Sequence, residues 1–142
     1  MLNKQQVNGI AMRKTLLLIT FLSCFCANAE ELEVIHRAKS WLTLIDNGQY
    51  QQSWQQADSL FKQTMPQSNW SKALKQVRVP LGKVILRKNL SLMNYDSLPS
   101  LPDGEYVIIQ FQSQFMNKEQ AIETISLSKS SGQWKPIGYF IN

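Results

Sequence analysis

The chain has 142 residues, with 15 Lys or Arg against 10 Asp or Glu, a formal net charge of +5, two cysteines and one histidine. That length suits one domain with a sizeable core, and, with the N-terminal pair Arg13-Lys14 set aside, the absence of a basic cluster beyond Arg87-Lys88 removes the main support for a nucleic-acid partner. A single histidine and no His-Glu-x-x-His or similar spacing argue against a dedicated transition-metal site, and glycines scattered singly form no phosphate loop or dinucleotide fingerprint, so no cofactor is expected.

The segment from Met12 to Ala29 reads as an export signal. Arg13 and Lys14 precede an apolar run from Leu16 to Phe25, and small residues at Ala27 and Ala29 follow, which are the three parts signal peptidase requires. Cleavage is expected after Ala29, placing the signal at 1–29 and a single domain at 30–142. The apolar run falls short of the roughly 20 residues a spanning helix needs, so no stable transmembrane anchor is expected. Met1 to Ala11 is polar, and Met12 is the better-formed start. Phe21-Leu22-Ser23-Cys24 loosely resembles a lipoprotein cleavage site, so the alternative to a periplasmic or secreted protein is a lipoprotein anchored through Cys24. Removing the signal takes both cysteines, Lys4, Arg13 and Lys14, so the net charge falls to +2 and the exported domain has no disulfide.

Helices come first. Leu32, Ile35, Ala38, Leu42 and Ile45, with Trp41 beside them, predict a helix from Glu31 to Asp46, ended by Asp46-Asn47-Gly48. His36 falls on its solvent-leaning face. Tyr50, Trp54, Ala57 and Phe61 predict a second helix, Tyr50 to Met65, stopped by Pro66. Trp70, Ala73, Leu74 and Val77 predict a third, Ser68 to Val77, with Ser68 as N-cap.

After Gly82 the period changes to two. Lys83 to Met93 places Val84, Leu86, Leu90 and Leu92 on one parity; Glu105 to Phe115 places Val107, Ile109, Phe111 and Phe115 on one parity and three glutamines on the other. Ala121 to Leu127 and Gln133 to Ile141 complete four strands, and their short connections favour an antiparallel meander. The connection Leu98 to Gly104 is long turn chemistry. The expected fold class is α+β: about three N-terminal helices packed on one face of a curved four-stranded antiparallel sheet.

Asp46-x-Gly48-x-Tyr50-x-x-Ser53-Trp54, Arg78-x-Pro80-Leu81-Gly82, Pro102-Asp103-Gly104-Glu105-Tyr106, Glu123-Thr124 and Gly132-x-Trp134 with Gly138-Tyr139-Phe140 occur in that order. Together they resemble the bacterial exported family catalogued as domain of unknown function 4019, across essentially all of the exported domain. Ser100 stands where that pattern has glycine. The resemblance implies a cystatin-like or nuclear-transport-factor-like (NTF2-like) fold and no particular activity.

Glu123 is the chemically suggestive residue. It shares its parity with Ala121, Ile125 and Leu127, which points a carboxylate into the sheet interior, where its charge needs a cation or donors. Arg78 and Lys88 are the candidate cations, and as ligand-binding residues they join Glu123; Tyr106 and Tyr139 are the candidate hydroxyl donors. A satisfied ion pair is the structural reading. The functional reading makes Glu123 a general base, with Tyr106 or Tyr139 donating to a developing oxyanion.

Trp41, Trp54, Trp70, Trp134, Tyr50, Phe61, Phe111 and Phe140 suit a core better than a ligand pocket. The expectation for function is an exported, non-catalytic binding or interaction module whose partner is a protein or an apolar small molecule. The alternative is an isomerase- or dehydratase-type enzyme using Glu123.

Overall fold

A computed structural model describes residues 11–142, with side chains from Asn28 onward. Met1 and the side chains of Met12 and Cys24, on which the expected start and lipidation site fall, lie outside the described residues. The chain divides into two units, Met1–Glu33 and Val34–Asn142. The described residues of the first unit are helical, and Ala29 is exposed there. No helix among the described residues is long and apolar enough to cross a membrane.

Helix α1 (Ala11–Asp46) supplies residues 34–46 to the second unit. Val34, Ala38, Trp41, Leu42 and Ile45 are its buried face, whereas Leu32, expected inside, is 69% exposed. Gly48 takes φ +73°, and bonds from Gly48 N–H to Ile45 C=O and from Gln49 N–H to Leu44 C=O close the helix with a left-handed turn.

The expected second helix is two. Helix α2 (Tyr50–Gln56) stops at Ala57, whose backbone is extended, and α3 (Ser59–Thr64) starts afresh with Asp58 as N-cap, its carboxylate accepting from Leu60 N–H at 2.9 Å. The periodicity of Tyr50, Trp54, Ala57 and Phe61 runs across the break, which is why it hid it. Asp58 N–H is donated instead to Pro136 C=O, so tertiary hydrogen bonding takes over from the helical ladder.

Helix α4 (Gln67–Arg78) follows Pro66, which occupies the N-cap position expected for Ser68. Its buried residues are Trp70, Leu74 and Arg78, four apart. Ala73 and Val77, read as part of its apolar side, are exposed. A short 3-10 helix, Val79–Leu81, leads to Gly82, whose φ is +73° and where an added Cβ would come within 3.1 Å of Met116 Cβ.

Strands β1 (Val84–Tyr95), β2 (Tyr106–Phe115), β3 (Lys118–Ser128) and β4 (Lys135–Ile141) form one antiparallel sheet in the order β1-β2-β3-β4. The α+β class and the meander stand as expected, with four α-helices among the described residues rather than about three. On β2 and β3 the alternation is regular: Val107, Ile109, Phe111, Ser113 and Phe115 face inward beside Ala121, Glu123, Ile125 and Leu127.

Strand β1 breaks its own alternation twice, with bulges between Val84 and Leu86 and between Asn89 and Ser91. Each bulge inserts one residue and flips the parity that follows. Leu86 and Leu90, expected inside, are therefore 45% and 54% exposed. Arg87, directly opposite Ser113, takes the inward place, and Lys88 is exposed.

In the β1–β2 connection Gly104 N–H is donated to Asp96 C=O and Tyr106 Oη to Pro102 C=O at 2.6 Å. Ser100 adopts φ +65°, the left-handed region in which glycine is favoured. The helices and the inner sheet face enclose Trp41, Leu42, Phe61, Trp70, Ile109, Phe111, Ile125 and Leu127. Phe140, assigned to the aromatic core from the sequence, is 62% exposed because it pairs with Thr124 on the outer face.

Candidate functional site

Four charged side chains from four elements converge where the inner sheet face meets the C-terminal ends of α1 and α4. Asp46 ends α1, Arg78 ends α4, Arg87 comes from β1 and Glu123 from β3. Arg78 suits its place, since a cation at a helix C-terminus meets the negative end of the helix dipole. Asp46 is disfavoured at its own helix end for the same reason, so the two arginines must hold it.

Glu123 has 0% exposure and accepts five hydrogen bonds. They come from Arg78 Nη1 (3.3 Å), Arg87 Nε (2.6 Å) and Nη2 (3.1 Å), Tyr139 Oη (2.7 Å) and Ser113 Oγ. Asp46 accepts from Arg78 Nη2 at 2.7 Å and from Arg87 Nη1 and Nη2 at 2.8 and 3.0 Å. Two carboxylates and two guanidiniums thus cancel in charge. Such closure is required, since an uncompensated ion buried there would cost several kcal/mol.

Burial works against the charged form of Asp46, but Arg87 and Arg78 outweigh it and hold its carboxyl below the ordinary value of 3.8. Burial likewise opposes the Arg87 charge, and Asp46 and Glu123 override it, raising its pKa. Burial first, and then the neighbouring Glu123 carboxylate, push the Tyr139 hydroxyl up, so it stays a neutral donor.

The quartet is walled by aromatic rings. Arg78 Cζ lies 4.7 Å from the Phe115 ring centroid, a cation–π contact, and Tyr139 meets Trp41 and Trp70 edge-on at 6.2 and 6.5 Å. Trp41 and Trp70 are fixed through Ser53: Trp41 Nε1 donates to Ser53 C=O and Trp70 Nε1 to Ser53 Oγ.

Of the expected site residues, the structure brings Glu123, Arg78 and Tyr139 together. It does not bring in Lys88, which the first β1 bulge turns to solvent, nor Tyr106, whose hydroxyl is used by Pro102 C=O. Arg87, Asp46 and Ser113 were missed. For Asp46 a signal existed: an acid in the last turn of a helix that has no basic residue there.

An open cleft of about 340 Å³ borders the quartet, lined by Ile45, Asp46, Gly48, Tyr50, Arg78 and Lys83 among others. Asp46 and Arg78 belong to both; Glu123 does not line it. Arg78 Nε is buried with no hydrogen-bond partner. Among the described residues no group of three or more His, Cys, Asp or Glu is arranged to hold a metal.

Comparison with curated proteins finds no match. The family model described as protein of unknown function (DUF4019) matches residues 37–139, a span that contains Asp46, Arg78, Arg87, Ser113, Glu123 and Tyr139. The chain that builds this quartet belongs to that family.

Proposed function

We propose that this protein is an exported, non-catalytic binding module of the bacterial periplasm, with its sheet and helices arranged in the cystatin-like and NTF2-like manner. The observation that carries the reading is the state of Glu123. A general base needs an accessible lone pair within reach of a substrate proton, whereas Glu123 is fully buried and engaged by five donors. Engagement of that kind weighs against the isomerase or dehydratase alternative.

A surface for a protein partner is available on the outer sheet face. Leu86, Met93 and Phe140 are 45%, 46% and 62% exposed there, among Gln110, Gln112 and Gln114. Exposed apolar side chains set among neutral polar ones are what a protein-contact patch offers.

Expression of the full chain in a bacterium, followed by fractionation and intact mass, tests export; a periplasmic product starting at Glu30 is expected. A tagged protein should then retain a periplasmic protein that a Met93→Asp, Phe140→Asp double variant of unchanged stability does not. An empty capture together with an empty ligand thermal-shift screen overturns the binding-module reading.

A further inference from the structure

One corner of the domain carries exposed apolar side chains on turns. The 3-10 helix Val79–Leu81 and the β2–β3 hairpin tip at Met116-Asn117 are bound together: Met116 N–H is donated to Lys83 C=O, Asn117 N–H to Leu81 C=O and the Asn117 amide to Pro80 C=O. Val79, Met116 and Ile85, the residue inserted by the first β1 bulge, are 67%, 63% and 60% exposed, and Val77 is exposed on the last turn of α4. Exposed apolar residues scattered singly are ordinary, whereas four brought to one corner form a patch.

The charge around that patch has one sign. From Asp58 to Asp96 the chain has no acidic residue between. Lys75, one turn before Val79, and Lys83 and Lys88 on either side of Ile85 are all exposed, and none has an acidic partner among the described residues. Lys118 adds a fourth ammonium at the hairpin, followed by Glu119. Asp46 offers no balance here, because Arg78 and Arg87 hold its carboxylate.

Backbone pairing decides between a protein and a lipid surface. The N–H groups of Val79, Gly82, Met116 and Asn117 are all donated within the corner, Pro80 has none, and the carbonyls of Val79, Pro80, Leu81 and Lys83 all accept. Removing water from such a tip strands none of these groups, which is the condition for entering a lipid interface. A protein partner would find few backbone hydrogen bonds left to take.

We propose that this corner docks on the surface of an anionic phospholipid bilayer, with Val79, Ile85 and Met116 set into the headgroup–acyl boundary and Lys75, Lys83, Lys88 and Lys118 over lipid phosphates. The contact is peripheral and lies apart from the Met93 and Phe140 patch, so it goes beyond the binding-module reading and does not rest on it.

The test is co-sedimentation of the full chain with vesicles of phosphatidylcholine alone and of phosphatidylcholine and phosphatidylglycerol in equal parts. Wild type should bind the second more tightly, and added salt should weaken that binding. Lys75→Ala and Lys83→Ala should each weaken it about fivefold, and a Val79→Asp, Met116→Asp double variant with an unchanged urea midpoint about tenfold or more. Lys135→Ala, opposite Ser128 at the other end of the sheet, should bind as wild type does. All variants keep the Leu16 to Phe25 run, so a lipid with a paramagnetic headgroup locates the contact: within residues 34–142 it should broaden the amide signals of 79–85 and 116–118 most. Equal binding to both vesicles, lysine variants that bind like wild type, or broadening centred elsewhere in 34–142 overturns the proposal. So does retention of an acidic protein through Lys75 and Lys83 without vesicle binding. If vesicles fail while the outer sheet face still captures its partner, the lipid surface alone falls; if capture fails while the tip variants lose vesicles, the module reading falls and this contact stands.

Discussion

Two buried polar centres lie a few side chains apart in this core, and they solve the same problem differently. The charged one gathers Asp46, Arg78, Arg87 and Glu123, with every carboxylate oxygen engaged. The neutral one is Ser53, with 0% exposure, whose carbonyl and hydroxyl serve two tryptophans while its own hydroxyl donates to Tyr50 C=O. In the neutral centre loss of one partner strands a dipole, and in the charged centre it strands a full ion. Stability should therefore be far more sensitive to the quartet, although neither centre is needed to bury apolar area.

The largest effect tests this directly. Glu123→Ala leaves two buried guanidiniums sharing the one carboxylate of Asp46 and strands the Ser113 and Tyr139 hydroxyls, and should destabilise the domain by about 3–5 kcal/mol, with Arg87→Ala similar. Urea unfolding followed by tryptophan fluorescence measures it. A loss under about 1 kcal/mol for both would show that water enters the quartet freely and would erase the contrast with Ser53.

Ser53→Ala comes next. Trp41 keeps its bond, since that acceptor is a backbone carbonyl, whereas Trp70 Nε1 is orphaned and Tyr50 C=O loses the hydroxyl's donation. The expected cost is about 1–3 kcal/mol. A cost equal to that of Glu123→Ala in the same urea series would mean that burial, not charge, sets the penalty.

How much of this was legible beforehand follows from which residues keep a simple period. Strands β2 and β3 alternate without interruption through Val107–Ser113 and Ala121–Leu127, so Glu123 could be placed inside from sequence alone, and Arg78 and Tyr139 named as partners. On β1 the parity count failed after the first bulge and exchanged Lys88 for Arg87, because one inserted residue changes face assignment without changing composition. On α4 the buried stripe is Trp70, Leu74 and Arg78; an apolar template rejects an arginine and so rotated the face toward Ala73 and Val77. Asp46 looked like a helix stop and is one, yet its carboxylate also anchors two arginines, a contact that only the assembled sheet creates.

A smaller, pH-dependent effect separates the two centres by chemistry. The folded pKa of Asp46 lies below its ordinary value, so its contribution is fully present above about pH 4 and is lost as pH falls through the lowered folded pKa. Ser53 does not titrate. Asp46→Asn should flatten the acid limb of the stability profile below about pH 4, and Ser53→Ala should shift the whole profile down without changing its slope. Unfolding free energies measured between about pH 2 and pH 7 distinguish the two; parallel acid limbs for wild type and Asp46→Asn would remove Asp46 from the charged balance.

The smallest effect is the sharpest on geometry. Arg87 and Lys88 are adjacent cations, and either could balance Glu123 if the strand could slide by one residue. The bulge between Val84 and Leu86 fixes the choice: Arg87 sits opposite Ser113 on the inner face, and Lys88 sits opposite Gln112 on the outer one. Lys88→Ala should accordingly change stability by no more than about 0.5 kcal/mol, the range of an ordinary surface substitution. The double variant Arg87→Ala, Lys88→Ala should be no worse than Arg87→Ala alone, because the two side chains lie on opposite faces and share no partner. A clear further loss in the double variant would mean that Lys88 turns inward when Arg87 is gone, and that the bulge is a preference of this strand and not a constraint upon it.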